Sequence, residues 1–188
     1  SEDRRRVLQE LFKSAIKALK ETQIDLDTPI VVLGLGYIKD DFLRYLERES
    51  DLKERIIDVK SVNSTGKAGI YEALRSGVLS KALRHMRMVK ETEAVEELLK
   101  RLGKGQGDVA YGLKEVQKAN SMGAIDKLLL TDSYLREALD EERESLERLM
   151  REVENKGGEI IIVSVEHEAG VKLSSLGRIA ALLRFPIE

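Results

Sequence analysis

The chain of 188 residues contains no cysteine and no tryptophan. The lack of cysteine excludes disulfides, thiolate zinc sites and cysteine nucleophiles together. No apolar run reaches the length of a membrane-spanning helix, and the first residues, Ser1 to Arg4, do not resemble a signal peptide. We therefore expect a soluble, cytoplasmic protein with no membrane contact.

The sequence also lacks an excess of charge of either sign. Charged residues make up 35% of the chain, yet the formal net charge is only -2. No global basic field draws such a protein to nucleic acid, so any RNA contact has to be a local patch. The hydrophobic content of 42% is enough for real cores, and the length fits one large domain or two compact ones.

Helices and strands alternate through the first half of the chain. The three-to-four spacing of apolar residues predicts an amphipathic helix over Asp3–Glu21. After it we predict a strand over 30–34, a helix from Ile38, a strand over 55–62, a short helix after "NSTGKAG" and a long helix over about 81–102. The strands are almost continuously apolar, which favours a sheet covered by helices on both faces.

The glycine-rich stretch "GKGQGD", Gly103–Asp108, marks the predicted boundary between a domain over 1–108 and a second over 109–188. The second part is predicted to contain a helix ending near Gly123, the strand "AIDKLLLTD", a helix ending at Gly157, and the strands "EIIIVSV" and "RIAALLRF". Thr131 or Asp132 can cap the helix after the first of these strands. The fold class is α/β, with an α/β/α sandwich in the second domain.

Three catalytic motifs are present only in part. His167 is followed by Glu168, as in the zinc-protease pattern, but the second histidine that this pattern needs is replaced by Val171. The segment "VLGLGYIKD" has Lys39 where the dinucleotide fingerprint requires a third glycine. The segment "NSTGKAG" has Ala68 where a phosphate loop requires Ser or Thr. We expect no catalytic residue, metal or cofactor in this chain.

Arg4, Arg5 and Arg6 place three positive charges in the first turn of the first helix. Positive charge at this position opposes the helix dipole, so the cluster is poorly explained by helix stability alone. Two interpretations stay open: a solvated helix face, and contact with RNA phosphates.

Two long stretches carry a family resemblance. They are "AYGLKEVQKANSMGAIDKLLLTDSYLR" over 110–136 and "SVEHEAGVKLSSLGRIAALLRFP" over 164–186, and both resemble the Pelota family, ribosome-rescue paralogues of the class-1 release factors. Upstream, "STGKAGIYEAL" and "IVVLGLGYIKDDFLRYL" look like that family's central domain. The resemblance implies a central domain without its first strands, followed by a complete C-terminal domain similar to kink-turn-binding ribosomal proteins.

The resemblance also implies a function and partners. Pelota-like proteins bind stalled ribosomes, with their mRNA and rRNA, together with an elongation-factor-1-alpha-type GTPase, and then an ABC-type ATPase splits the subunits and no-go mRNA decay follows. A divalent-metal endoribonuclease activity is ascribed to the family's first, Sm-like domain, which this chain lacks. The chain is then expected to be a monomeric, cofactor-free, partner-binding fragment without enzymatic activity.

Other functions stay open at this point: a class-1 peptide-chain release factor, a metal-dependent endoribonuclease and a stand-alone kink-turn RNA binder. The chain has no Gly-Gly-Gln, since Gly105-Gln106 stands at the domain boundary. It also lacks the mini-domain that release factors carry near this end. The release-factor tripeptide would precede the first helix, at or before residue 1, so its presence in a longer protein stays open.

The resemblance suggests candidate contact residues in the second domain. His167 and Gly170 stand in the family's "H-x-x-G" loop, where loop architecture with a hydrogen-bonded histidine is favoured over partner contact, and catalysis is least favoured. Arg178 replaces a residue that is usually glycine in the family. Arg178 and Arg184 are candidate partner-binding cations, although an arginine at a strand end often only extends its head group to solvent.

Overall fold

The computed structural model describes residues 2–22, 24–25 and 28–187. The chain divides into two compact units, Ser1–Met86 and Arg87–Glu188. Its elements are α1 (Glu2–Glu21), β1 (Ile30–Gly34), α2 (Ile38–Glu49), a 3-10 helix (Leu52–Arg55), β2 (Ile56–Ser61), α3 (Gly66–Arg75), α4 (Val78–Lys104), β3 (Val109–Tyr111), α5 (Leu113–Ser121), β4 (Ile125–Thr131), α6 (Asp132–Glu137), α7 (Asp140–Asn155), β5 (Glu159–Val163), α8 (Glu168–Ser175) and β6 (Ile179–Leu183).

The units divide inside the long helix α4 rather than after Asp108, where the glycine-rich stretch suggested a boundary. The reason is packing: Ala94, Val95 and Leu98, in the second half of α4, are buried in a core of the second unit. A helix crosses this boundary without a break, so composition gave no signal of it.

The first unit is built on β1 and β2, which pair in parallel with Val32 opposite Val59. Alternate side chains of β1 enter two different cores. Ile30 packs with α1 and α2 in a cluster that contains Ile16 and Leu46. Val31 and Leu33 pack instead against a cluster of Val62, Ala73 and Val78. Both faces of this short sheet are therefore covered, as the apolar strands predicted.

The second unit contains a four-stranded sheet in the order β3-β6-β4-β5. β4 and β5 are parallel, whereas β6 is antiparallel to both β4 and β3. Leu128 and Leu130 point into one core, and Leu129 between them points into the other. This alternation buries both faces of the sheet and confirms the α/β/α sandwich.

Local signals fixed several element ends correctly. Thr131 caps α6 by accepting a hydrogen bond from the backbone N–H of Tyr134 at 3.2 Å. Gly123, just past α5, has a φ of 68°, the left-handed conformation in which glycine is favoured. The strand β3 is not predicted from the sequence, because three residues are too few to show a periodic pattern. No helix among the described residues is long and apolar enough to cross a membrane.

Candidate partner-binding site

The loop between β5 and α8, residues 164–167, is here called the His167 loop. It follows the carboxyl end of β5, next to the carboxyl end of the parallel strand β4. His167 is the N-cap residue of α8 but makes no side-chain cap hydrogen bond. Its ring turns instead toward α4.

The partner of His167 is a buried carboxylate. The Nε2 atom of His167 lies 2.6 Å from Oε2 of Glu91, a residue of α4 that is only 3% exposed. The same oxygen accepts a hydrogen bond from the backbone N–H of Ser164 at 3.0 Å. The other oxygen accepts one from Nε of Arg87 at 2.9 Å. Buried carboxylates are tolerated when paired and hydrogen-bonded, and this one holds the His167 loop against α4.

Gly170 is required by the close approach of α8 to the His167 loop. A β-carbon at this position would lie 1.9 Å from the carbonyl oxygen of Ser164 and 2.6 Å from Cα of Val165. Both are backbone atoms, which cannot move aside as a flexible side chain does. The "H-x-x-G" spacing thus encodes the loop architecture that the sequence interpretation favoured for His167 and Gly170.

Asp132 ties the same loop to the end of β4. Its Oδ1 atom accepts hydrogen bonds from the backbone N–H groups of Ser133, at 2.8 Å, and Val165, at 3.1 Å, while Oδ2 lies 2.7 Å from Nη1 of Arg136. Burial by itself raises the pKa of Asp132, but the hydrogen bonds from Arg136 and Val165 outweigh it, and the pKa falls below its ordinary value.

Arg178 is engaged within its own unit. Its backbone has a φ of 69°, in the left-handed region that favours glycine. Its guanidinium lies 4.3 Å from the ring centroid of Tyr134 and 2.9 Å from Oε2 of Glu137. Burial, with a hydrogen bond to Glu142, raises the pKa of Tyr134 to about 12. Partner contact by Arg178 stays a prediction.

Arg184 also has an intramolecular role. Its Nη2 atom donates to the carbonyl oxygen of Lys156 at 3.0 Å. Lys156 is the C-cap residue of α7, and cations near a helix end stabilise its last carbonyl groups. Arg184 remains exposed beyond β6 and lines a shallow polar groove with Arg101 and Asp108. A partner contact by Arg184 therefore stays a prediction as well.

A groove of 210 Å³ lies beside the His167 loop, between α4 and α8, and is here called the α4–α8 groove. Its lining combines apolar, acidic and basic side chains: Met88, Thr92, Val95, Glu96, His167, Glu168, Ala169 and Lys172. Met88 is 43% exposed there, and Lys172 forms an ion pair with Glu168. This mixture of an exposed apolar side chain and a charged rim is typical of a protein contact rather than of a catalytic pocket.

The structure does not bring Arg4, Arg5 and Arg6 to one site. All three are exposed, but successive residues of a helix point about 100° apart. Arg4 donates to the hydroxyl of Tyr37 at 3.0 Å, whereas Arg5 lines a groove between α1 and α2. Whether these arginines contact RNA stays a prediction. In the described part of the chain, no group of three or more His, Asp or Glu is placed to hold a metal ion.

Comparisons with known proteins identify the family of this chain. The family model named eRF1 domain 3 matches residues 88–187. The chain is 44% identical over 158 residues to the "Protein pelota homolog" of Methanopyrus kandleri. The aligned residues are 84% of this chain and 44% of that protein. The crystal structure of Archaeoglobus fulgidus Pelota matches with a TM-score of 0.79 and 37% identity over 95% of this chain and 55% of that one. The chain belongs to the Pelota family.

Two further Pelota-family structures are described with partners. A ribosome-bound archaeal Pelota with ABCE1 matches with a TM-score of 0.63 and 34% identity, covering all of this chain and 51% of that one. Saccharomyces cerevisiae Dom34, a translation termination-like factor in RNA quality control pathways that interacts with Hbs1, matches with a TM-score of 0.58 and 28% identity, over 95% of this chain and 53% of that one. The chain spans about half the length of these Pelota relatives.

Sequence reasoning missed the residue that organises this Pelota-family loop. Glu91 lies 76 positions before His167, and nothing in the sequence links the two. The available signal was weak: Arg87 and Glu91 are spaced as an i,i+4 ion pair on a helix, which is usually a surface feature. Arg44 and Arg48, which share the α1–α2 groove with Arg5, were also missed.

Proposed function

We propose that this chain is the partner-binding part of a ribosome-rescue factor, which contacts a translational GTPase and an ABC-type ATPase and itself performs no catalysis. The observation that carries the proposal is the match of the chain to family members described as bound to the ribosome with ABCE1 or as interacting with Hbs1. Acting as a monomer and without a cofactor belongs to the same proposal, as does the link to ribosome disassembly and no-go mRNA decay.

The chemistry of the His167 loop supports a binding role. The Nε2 atom of His167 is bound to Glu91, and both oxygens of Glu91 accept hydrogen bonds, which come from Arg87, Ser164 and His167. These hydrogen bonds hold the loop in one conformation, which suits a surface preformed for a protein partner.

We assign the C-terminal partner contact to the α4–α8 groove. Met88 offers exposed apolar surface, and the ion pair of Lys172 with Glu168 forms a polar rim. Apolar anchors inside a polar rim are the usual anatomy of such contacts. Arg178 and Arg184 are secondary candidates, because Arg178 already binds the carboxylate of Glu137 and Arg184 the carbonyl oxygen of Lys156.

The test is a splitting assay with stalled archaeal ribosomes, a full-length Pelota, its GTPase and its ATPase. The chain alone should split no ribosomes, and added in excess it should slow splitting by the full-length protein through competition for the partners. Met88→Asp should weaken the inhibition, because it places a carboxylate in the α4–α8 groove. Leu139→Asp, at a position that is 76% exposed and outside that groove, is the matched control and should inhibit like the unmodified chain.

Two outcomes would reject the proposal. Splitting that is unaffected by a large excess of the chain would mean that it captures neither partner. Release of the nascent peptide by the chain alone would instead favour the class-1 release factor, and cleavage of the mRNA would favour the endoribonuclease.

A further inference from the structure

The first unit carries a charged groove that the proposed GTPase and ATPase contacts leave unused. It lies between α1 and α2, has a volume of 340 Å³ and is here called the arginine groove. Its lining residues are Arg5, Leu8, Gln9, Phe12, Asp41, Arg44, Tyr45 and Arg48. Three guanidinium groups thus face one concave surface that includes a single carboxylate.

Of the three arginines of this groove, only Arg44 has an ion-pair partner among the described residues. This partner is Asp41, at 2.5 Å. No hydrogen bond or ion pair joins Arg5 or Arg48 to another described residue, and Glu47, next to Arg48, forms its ion pair with Lys53. A ligand of opposite charge would therefore gain from both guanidinium groups.

Helix stability explains this arrangement only in part. Arg48 lies in the last turn of α2, where a cation complements the helix dipole. Arg44 and Arg48 are like charges four residues apart, which destabilises a helix by about 0.2–0.5 kcal/mol, but the i,i+3 pair of Arg44 with Asp41 offsets this cost. Arg5 lies near the beginning of α1, where the dipole disfavours a cation. Arg5 is thus better explained by a ligand than by the helix that carries it.

The shape of the groove favours a chain of phosphates over a single ion. Arg44 and Arg48 are one helical turn apart, about 5–6 Å, so their charges form a row. Arginine also presents a planar fork that binds phosphate oxygens in pairs, which lysine cannot do. The floor is apolar, because Phe12 packs against Tyr45 at a ring-centroid distance of 5.7 Å. A base next to a bound phosphate can lie on such a floor.

We propose that the arginine groove binds the phosphodiester backbone of single-stranded RNA, with Arg5, Arg44 and Arg48 as the contacting residues. The inference goes beyond the proposed GTPase and ATPase contacts, and it takes its biological setting from the proposed role in ribosome rescue. It replaces the linear cluster of Arg4, Arg5 and Arg6 by three cations that the fold brings to one surface. Binding to free RNA tests it without any protein partner, so its failure would leave GTPase capture untouched and the two proposals can fail separately.

The experiment measures binding of the chain to a short labelled uridine homopolymer by fluorescence anisotropy at several salt concentrations. Each phosphate neutralised on a single strand adds about 0.7 to the slope of log affinity against log salt. Replacing Arg5, Arg44 and Arg48 together by alanine should therefore lower the slope by up to about 2. The matched control replaces Lys13, Lys67 and Arg75, three exposed cations of the same unit outside the groove, and should leave the slope nearly unchanged.

A second variant separates loss of binding from loss of fold. Replacing the same three arginines by lysine keeps the charge, so the salt slope should persist, while the affinity should fall several-fold because the paired hydrogen bonds are lost. Equal losses from the groove triple and the control triple would overturn the proposal, as would an unchanged slope in the groove triple. Displacement of the RNA by polyglutamate at the same charge concentration would also overturn it, in favour of an acidic protein surface.

Discussion

The imidazole of His167 and the carboxylate of Glu91 join residues 76 positions apart across a contact of 2.6 Å. The contact fastens the loop after β5 to α4, and it does so in the interior, since Glu91 is 3% exposed. Glu166 and Glu168 flank His167 in the sequence, but the carboxylate that binds its ring belongs to Glu91. The pair fixes the shape of the surface that we assign to partner binding.

Removing the carboxylate should destabilise the second unit. Glu91→Ala leaves the backbone N–H of Ser164 and the ring of His167 without an acceptor, and we expect the free energy of unfolding to fall by about 2–3 kcal/mol. His167→Ala removes only one of these hydrogen bonds and should cost less. Glu93→Ala, at an exposed position of the same helix, is the control and should stay within about 0.5 kcal/mol. Urea unfolding measures all three, and equal stability of Glu91→Ala and Glu93→Ala would contradict the account.

Two glycine-to-alanine substitutions should have opposite signs. Gly170→Ala drives a β-carbon into the carbonyl of Ser164, and we expect a loss of about 1–3 kcal/mol from overpacking. Gly103→Ala, within α4, meets no atom within 4 Å and should stabilise the protein by about 0.5–1 kcal/mol through a lower entropy cost. Thermal unfolding decides the signs. Stabilisation by Gly170→Ala would show that α8 does not approach the loop as closely as described.

Asp132 should make the stability depend on pH on the acid side. Its pKa is lowered in the folded state from the ordinary value of 3.8, because hydrogen bonds from Arg136 and Val165 outweigh the effect of burial. Its contribution is therefore present above this value and is lost as the pH falls through the folded-state pKa. Asp132→Asn should cost on the order of 1 kcal/mol at neutral pH, and the difference from the unmodified protein should shrink as the pH falls below the ordinary pKa of 3.8. Glu93→Gln is the control, and a deficit for Asp132→Asn that is constant with pH would exclude this role.

The purified chain should not cleave RNA with or without magnesium or manganese. No group of three or more His, Asp or Glu in the described ranges is placed to hold a metal ion for such a reaction. The measurement is cleavage of a structured RNA. Activity that survives purification and disappears when one carboxylate of this chain is replaced would contradict the prediction.

The sequence predicted what depends on local patterns. The strand β4, the cap at Thr131, the α/β class and the covered sheets all follow from patterns among neighbouring residues. It did not predict what depends on long-range contacts. The pairing of Glu91 with His167 is one example, and the meeting of Arg5 with Arg44 across two helices is another. The linear run of arginines includes only one of the three arginines that line the groove, because Arg44 and Arg48 lie on a different helix.

The boundary between the two units is another feature that the sequence did not indicate. Glycine-rich composition marked Gly103–Asp108, yet the compact units meet within α4, between Met86 and Arg87. A continuous helix gives no compositional signal where its burial passes from one core to the next. The family model begins at residue 88, close to the structural division.

Nucleotide-dependent capture of the GTPase tests the central claim most directly. The immobilised chain is incubated with an elongation-factor-1-alpha-type GTPase loaded with a non-hydrolysable GTP analogue or with GDP, and the bound fraction is compared. Contacts of this type bury on the order of 1,200–2,000 Å² in total, enough for retention through a wash. We expect capture with the GTP analogue and much weaker capture with GDP. No capture in either state, or equal capture in both, would contradict the assignment of this chain as the partner-binding part of a rescue factor.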